Sequence, residues 1–217
     1  MNDTLEFLAR RFGLDLSHKS PLIISECNRT IMAQTLNELG FKVGAEIGVA
    51  QGDHSKMLCD SIPGLKLYCV DVWERYPGFR EYTDRIGRYY EQAQAKLAPY
   101  NVVIVKKFSM EAVKDFADGS LDFVYIDAAH DFKNVVDDVC EWSKKVRIGG
   151  MVFGHDYKGH SKGPYVRDVK WAVQAYVYAK GIRPWFVLAN GIKDPTFGND
   201  VPGWMFVRQE GDQVCNV

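Results

Sequence analysis

The chain has 217 residues, 47% apolar and 25% charged, with 27 basic against 28 acidic side chains and a formal net charge of −1. That length fits one domain with a sizeable core, and the charge balance offers no broad basic face for a polyanion, which disfavours a dedicated DNA- or RNA-binding protein. The five cysteines, at 27, 59, 69, 140 and 215, are scattered without a C-x-x-C, and three of them lie in apolar periodic segments, as small buried thiols do.

The opening "MNDTLEFLARRF" puts acids at 3 and 6 before any basic residue, unlike a secretory signal. No apolar run approaches the ~20 residues that cross a bilayer. A cytoplasmic protein without a membrane partner is the expectation. Residues 1–40, with a helical pattern around Thr30–Leu39, are expected to cap one end of a main domain spanning 41–217. From there strand and helix patterns alternate. "KVGAEIGV" is the first strand, and the helical stretch behind it stops at Pro63-Gly64. "LKLYCVDVW" is the second, followed by the helix "REYTDRIGRYYEQAQAKLAPY", closed by Pro99. "NVVIVKK" is the third and "EAVKDFADG" a short helix ended by Gly119. "LDFVYIDAAH" is the fourth, after which Phe132, Val135, Val136, Val139, Trp142 and Val146 recur at helical spacing up to Gly149-Gly150. "GMVFGHD" is the fifth, and a further amphipathic stripe runs from Val166 to Val177 behind Pro164. "PWFVLAN" and "GWMFVRQ" close the chain as two strands without a helix between them. The pattern predicts an α/β fold: a Rossmann-like, doubly wound, seven-stranded sheet, mostly parallel, with the last strand antiparallel.

In such a sheet ligands sit beyond the carboxyl ends of the strands. Those ends read Glu46 and Gly48, then Asp71, Val72 and Trp73, then Ser109 and Met110, then Asp127 and His130, then His155, Asp156 and Tyr157. Gly48 and Gly52 permit a φ > 0 bend and close backbone approach. Glu46 is at odds with a pyrophosphate, which it would repel, and suits a cationic or hydroxyl-bearing ligand. Asp71, 25 residues on, can accept hydrogen bonds from ribose hydroxyls. Trp73 can wall a base, with Val72 on the same rim. Together these residues suit a nucleoside with a positively charged tail and no phosphate.

The E-x-G-x-x-x-G bend (Glu46, Gly48, Gly52), the acid closing strand two and the terminal strand pair resemble the class I S-adenosylmethionine-dependent methyltransferases. "LDFVYIDAAHDFKNVVDDV" and "GGMVFGHDY" further resemble the small-molecule O-methyltransferases grouped as methyltransferase domain 24. The resemblance implies sheet order 3-2-1-4-5-7-6 and a bound S-adenosyl-L-methionine. It implies that Glu46 faces the methionine ammonium, Asp71 holds the ribose, Ser109 and Met110 border the adenine, and Asp127 lies at the cofactor's edge.

"YIDAAHD" and "FGHDY" are similar to the metal-dependent catechol and caffeoyl-CoA enzymes, which bind a cation through an Asp after strand four and Asp-Asn after strand five. The aspartates fall on Asp127 and Asp156; the catechol enzymes' lysine base falls on His130. The departure is Tyr157 where that pattern has Asn, with His155 as a substitute. Two carboxylates and water can hold octahedral Mg²⁺ or Mn²⁺. An imidazole of ordinary pKa, near ~6.5, is also suited to taking a hydroxyl proton at neutral pH, so His130, with Asp127, is the catalytic candidate. His54 and His160 have no comparable placement, and His18 reads as surface.

There is no [DNS]-P-P-[YFW], no Pro-Cys and no double-Glu loop after strand four. A small hydroxylated acceptor, such as a sugar, a phenol or a secondary metabolite, is therefore expected, without a nucleic-acid partner. Loops 73–80, 157–165 and 190–202 are the expected substrate walls, the last as a lid. Tyr76, Phe79, Tyr157, Tyr165 and Phe197 are available to stack on a ring, and Lys158, His160, Lys162 and Arg167 give the rim a basic cast. Two rival readings stay open: an NAD- or nucleotide-sugar-dependent oxidoreductase, disfavoured by the acid at 46 and the absence of G-x-G-x-x-G, and a non-catalytic cofactor-binding module, disfavoured by the polar cluster Asp127, His130 and Asp156. The sequence leaves oligomeric state open.

Overall fold

Apolar side chains alternate between two faces along the core strands of the computed structural model, which describes residues 3–76, 85–159, 167–189 and 191–212. The strands are β1 (Leu22–Ile24), β2 (Val43–Ile47), β3 (Lys66–Asp71), β4 (Val102–Lys106), β5 (Leu121–Ile126), β6 (Val146–Gly154), β7 (Trp185–Leu188) and β8 (Gly203–Val207). They form one sheet in the order β1-β7-β8-β6-β5-β2-β3-β4. β8 runs antiparallel to β6 and β7, and all other pairings are parallel. The seven strands read from the sequence are therefore present in the expected order.

Residues 1–40 do more than cap the sheet with helices. Their β1 adds an eighth strand, parallel to β7 and outermost on that edge. A three-residue apolar run carries too little period to be read alone. A second difference concerns Val146, which opens β6 instead of closing the preceding helix; the β5–β6 register shifts between Leu121 and Phe123, beside it.

Helices α1 (Asp3–Phe12), α2 (Arg29–Glu38), α3 (Asp53–Ser61) and α4 (Ile86–Leu97) cover one face. There Leu8, Leu36, Leu58 and Leu97 pack with Phe123, Tyr125, Met151 and Phe153. The other face takes α5 (Ser109–Ala112) with the 3₁₀ turn Val113–Asp115, α6 (Phe132–Lys145) and α7 (Val169–Ala179). There Val139, Trp142 and Val173 meet Val124, Ile126 and Val152. Phe123/Tyr125 and Val124/Ile126 thus point to opposite layers, the period of 2 that a sheet covered on both sides requires. Local caps set where the helices begin: Asn28 Oδ1 accepts from the Ile31 amide at 2.8 Å, and Asp131 from the Asn134 amide at 3.2 Å. Among the described residues no helix is long and apolar enough to cross a membrane. Cys27, Cys59 and Cys69 are buried and Cys140 half-buried, all free, and burial pushes the Cys27 and Cys59 thiols up to about 12. Cys215 lies outside the described residues.

Candidate active site

The carboxyl ends of β2 to β6 open onto one cavity of about 670 Å³. Its floor is the bend after β2. Gly48 sits at φ 90° with its N–H on the Val70 carbonyl at 2.9 Å. A Cβ there would lie 2.0 Å from the Asp127 carbonyl oxygen, so only glycine lets this chain cross the end of β5. Gly52, at φ 81°, starts α3. Ala50, Trp73 and Asp156 are the non-glycine residues with positive φ among those described, and all three line this cavity, where backbone strain commonly collects.

Glu46 is 1% exposed. It accepts a hydrogen bond from the Ser55 hydroxyl and has His54 Nδ1 at 3.1 Å. His54, expected to have no special placement, is buried at the cavity wall, its ring 4.0 Å from that of Tyr125. The expectation failed because it weighed only strand ends; His54 precedes Met57 and Leu58 by one helical turn and shares their inward face. Asp71 Oδ2 accepts from the amides of Val49 (2.9 Å) and Ala50 (2.8 Å), and Oδ1 from that of Trp73 (3.1 Å). Trp73 is buried, donates from Nε1 to the Ala50 carbonyl at 2.7 Å and packs on Tyr90. Asp71 thus ties the β2 bend to the end of β3, with Val72 beside it on the cavity wall.

Beyond β4, Ser109 and Met110 line the cavity with Asp138 of α6. The Ser109 hydroxyl donates to Asp138 and accepts from Trp142 Nε1 at 2.8 Å. Burial pushes the Asp138 carboxyl up to about 7, against the Ser109 hydrogen bond and with help from the negative charges of Asp137 and Asp131.

At the other end, above β5 and β6, Asp127, His130 and Asp156 converge. His130 Nε2 lies 3.1 Å from Asp156 Oδ2 and 3.6 Å from Asp127 Oδ1. One donor atom from each of the three groups falls within 4.8 Å of the others, a spacing that a single cation could bridge. His155 Nδ1 approaches the same Asp156 oxygen at 3.3 Å, and its Nε2 lies 2.8 Å from Asp200 Oδ1. Arg29 donates from Nε to Asp200 Oδ2 at 2.6 Å, places Nη1 4.0 Å from Asp127, and lies over the Phe197 ring at 4.6 Å.

The pKa shifts follow these contacts. Burial alone would lower His155, but the Asp156 and Asp200 hydrogen bonds outweigh it and carry the imidazole up to about 9. Burial would likewise raise Asp156, Asp200 and Asp127. Hydrogen bonds from His130 and His155 hold Asp156 well below the usual carboxylate range; those from His155 and Arg29 do so for Asp200. The His130 hydrogen bond, with the charges of His155 and Arg29, lowers Asp127.

Every candidate site residue read from the sequence therefore lines one cavity, save that Gly52 lies behind it at the start of α3. Arg29, His54, Asp138 and Asp200 were missed, whereas Phe197, expected among the aromatics near the acceptor, does line the cavity. His155 was seen only as a substitute metal ligand. Of the aromatics, Tyr76 packs edge-on against Phe108, Tyr157 accepts from Gln174 at 3.0 Å, and Phe197 lies under Arg29. Phe79, His160, Lys162 and Tyr165 fall outside the described residues.

The family model of the methyltransferase domain of type 24 matches residues 45–157, just over half of the chain. None of the curated proteins compared with the sequence matches it. Among solved structures, the O-methyltransferase from Bacillus cereus in complex with SAH is similar over 94% of this chain and 90% of its own, at 16% identity and TM-score 0.62. The O-methyltransferase TomG from Streptomyces achromogenes, involved in tomaymycin synthesis and solved with SAM, is similar over 96% and 91%, at 16% identity and TM-score 0.58. The N-methyltransferase NodS from Bradyrhizobium japonicum WM9 is similar over 84% and 95%, at 13% identity and TM-score 0.55, so the shared fold does not by itself select the accepting atom. The chain belongs to the methyltransferase domain 24 family and is an S-adenosylmethionine-dependent methyltransferase.

Proposed function

We propose that the protein methylates a hydroxyl of a small polar metabolite, a sugar, phenol or secondary metabolite, with His130 as general base. The observation that carries this reading is the placement of His130 Nε2, 3.1 Å from Asp156 and 3.6 Å from Asp127 on the wall of the cavity that the β2 bend floors. The glycine crossing over Asp127, which a Cβ would fill, and the buried acid beside it fit a nucleoside bearing an ammonium.

Bound adenosylmethionine supplies an electrophilic methyl group and a neutral thioether as leaving group. The chain's own residues then have to bind, orient and remove one proton. Glu46 attracts the ammonium, with His54 and Ser55 fixing its carboxylate. A carboxylate offers about four acceptor sites, so Asp71 can hold the Val49, Ala50 and Trp73 amides and still accept from a ribose hydroxyl. Trp73, Ser109 and Met110 border the base, and Val72 completes that rim. At the acceptor end His130 Nε2 faces the Asp127 and Asp156 carboxylates. A proton taken from the acceptor makes the His130 ring an imidazolium, which these two carboxylates steady. Proximity and proton removal account for most of the rate.

His130→Ala should lower turnover by about 10²-fold or more while affinity for adenosylhomocysteine, by isothermal titration, stays within about twofold. Asp71→Ala should weaken that affinity strongly. Unchanged turnover in His130→Ala on a competent hydroxylated acceptor removes His130 from the mechanism.

A second reading makes the same three side chains a cation site. Asp127, Asp156 and His130 offer two oxygens and one nitrogen within 4.8 Å, a donor set that suits Mn²⁺ better than Mg²⁺. Such an ion would act as a Lewis acid on the acceptor oxygen. Loss of turnover in EDTA, restored by Mn²⁺, with Mn²⁺ binding seen by electron paramagnetic resonance, favours this reading; EDTA-resistant turnover leaves His130 as base.

A further inference from the structure

The loop between β7 and β8 is tied down on both sides of the site. Asp194, buried, accepts from the amides of Thr30 (3.0 Å), Thr196 (2.8 Å) and Phe197 (3.0 Å). The Gly191 amide donates to the Ser25 carbonyl at 2.9 Å, and at the far end the Tyr157 amide donates to the Pro202 carbonyl at 2.7 Å. The loop is thus clamped to the start of α2 on one side and to the residue after Asp156 on the other. Between these anchors Asp200 points inward, 9% exposed at its side chain, onto Arg29 and His155.

Asp200 also begins a chain of contacts that ends at the proposed base. Asp200 Oδ1 is 2.8 Å from His155 Nε2; His155 Nδ1 is 3.3 Å from Asp156 Oδ2; the same Oδ2 is 3.1 Å from His130 Nε2. Anion and imidazole alternate at every step, and each imidazole nitrogen of His155 faces a different carboxylate, with Arg29 Nη2, itself paired to Asp200, also 2.9 Å from Nε2. An imidazole gripped at both nitrogens cannot rotate without breaking a hydrogen bond. Asp156 needs such support. It holds φ 52°, a conformation that costs a non-glycine residue free energy and persists only where its surroundings impose it.

We propose that Asp200 and His155 are positioning residues: Asp200, presented by the 191–202 loop, locks the His155 ring, and the locked ring holds the Asp156 carboxylate where it orients His130. Neither touches the reacting atoms in this scheme. The inference rests on the reading of His130 given above, but its geometry can be tested apart from turnover.

The test is nuclear magnetic resonance of histidine-labelled protein saturated with adenosylhomocysteine. It compares wild type with Asp200→Ala, Asp200→Asn and His155→Ala, each checked for a folded spectrum. Asp200→Ala should shift the His130 ring resonances and broaden or double them. Asp200→Asn keeps an acceptor for His155 Nε2–H and should return them close to wild type. On an active acceptor, turnover should fall about tenfold in Asp200→Ala, the scale of a sub-ångström misplacement, and recover in Asp200→Asn. Should Asp200→Ala fail to fold, His155→Ala removes the middle link and is expected to disturb His130 in the same way. His130 resonances indifferent to both alanine variants overturn the proposal, as does an Asn variant no better than Ala, since the charge of Asp200 and not its grip on His155 would then be responsible. If instead His130→Ala keeps full turnover while Asp200→Ala still moves the His130 resonances, the contact chain stands and the base assignment is what fails.

Discussion

Asp138 is a carboxyl with almost no water around it, 3% exposed, hydrogen-bonded by Ser109 and backed by Trp142. Burial pushes it up to about 7 from an ordinary value of 3.8, and Ser109 resists only part of that rise. The folded chain therefore binds a proton here that the unfolded chain releases, throughout the range between these values. Because the native state binds more protons, stability falls as pH rises from about 4 to about 7 and remains reduced above. Asp138→Asn keeps the shape and an acceptor for Ser109 but carries no charge. Urea unfolding of the ligand-free protein at pH 5 and pH 8 should show wild type losing about 2–4 kcal/mol from this group, with the Asn variant lacking that loss and the more stable of the two at pH 8. Parallel pH slopes for the two proteins would show that Asp138 is ionised in the folded state after all.

Elements divide by how local their causes are, and that division decides what could be read from the sequence. The bend after β2 was legible because its requirement is local: Glu46 closes a strand, and Gly48 and Gly52 sit where φ turns positive. Asp71, Asp127, His130 and Asp156 were legible for the related reason that a doubly wound sheet gathers strand ends at one rim. By contrast, Arg29 meets Asp200 across 171 positions, and no local pattern announces that pairing. β1 exists only because Leu22, Ile23 and Ile24 find Phe186, Val187 and Leu188. Val146 was drawn into α6 by its spacing from Trp142, yet strand pairing with Leu121 claims it for β6. His54 was within reach of the pattern, one turn before Met57 and Leu58 on the buried face. The 190–202 segment was expected as a lid from its length and turn residues; what its composition could not convey is that Asp194 and Asp200 grip the start of α2 and that Asp200 also holds His155, just past the end of β6.

At the scale of the whole molecule, the cavity is a seam. One wall comes from α2, α3 and the β7–β8 loop, which belong to one layer and edge of the sheet. The other comes from the segments after β4 and β5, which lead into the opposite layer. A ligand spanning that seam touches elements distant in sequence and binds only when all of them are assembled, so it stabilises the folded state by mass action. Adenosylhomocysteine at about 100 times its dissociation constant should add about 2.7 kcal/mol. For a chain of this size that corresponds to a rise in melting temperature of about 5–10 °C. NADH is the informative control. Its pyrophosphate would have to lie on the bend beside Glu46, an acid buried to 1% exposure, and no G-x-G-x-x-G supplies the amide cradle that a diphosphate needs. Thermal melts should therefore move with adenosylhomocysteine and stay still with NADH. Glu46→Gln should reduce the shift by weakening the hold on the ammonium, and it should not create one for NADH. The opposite pattern, NADH stabilising and adenosylhomocysteine inert, would mean that the buried acid does not govern what the bend holds.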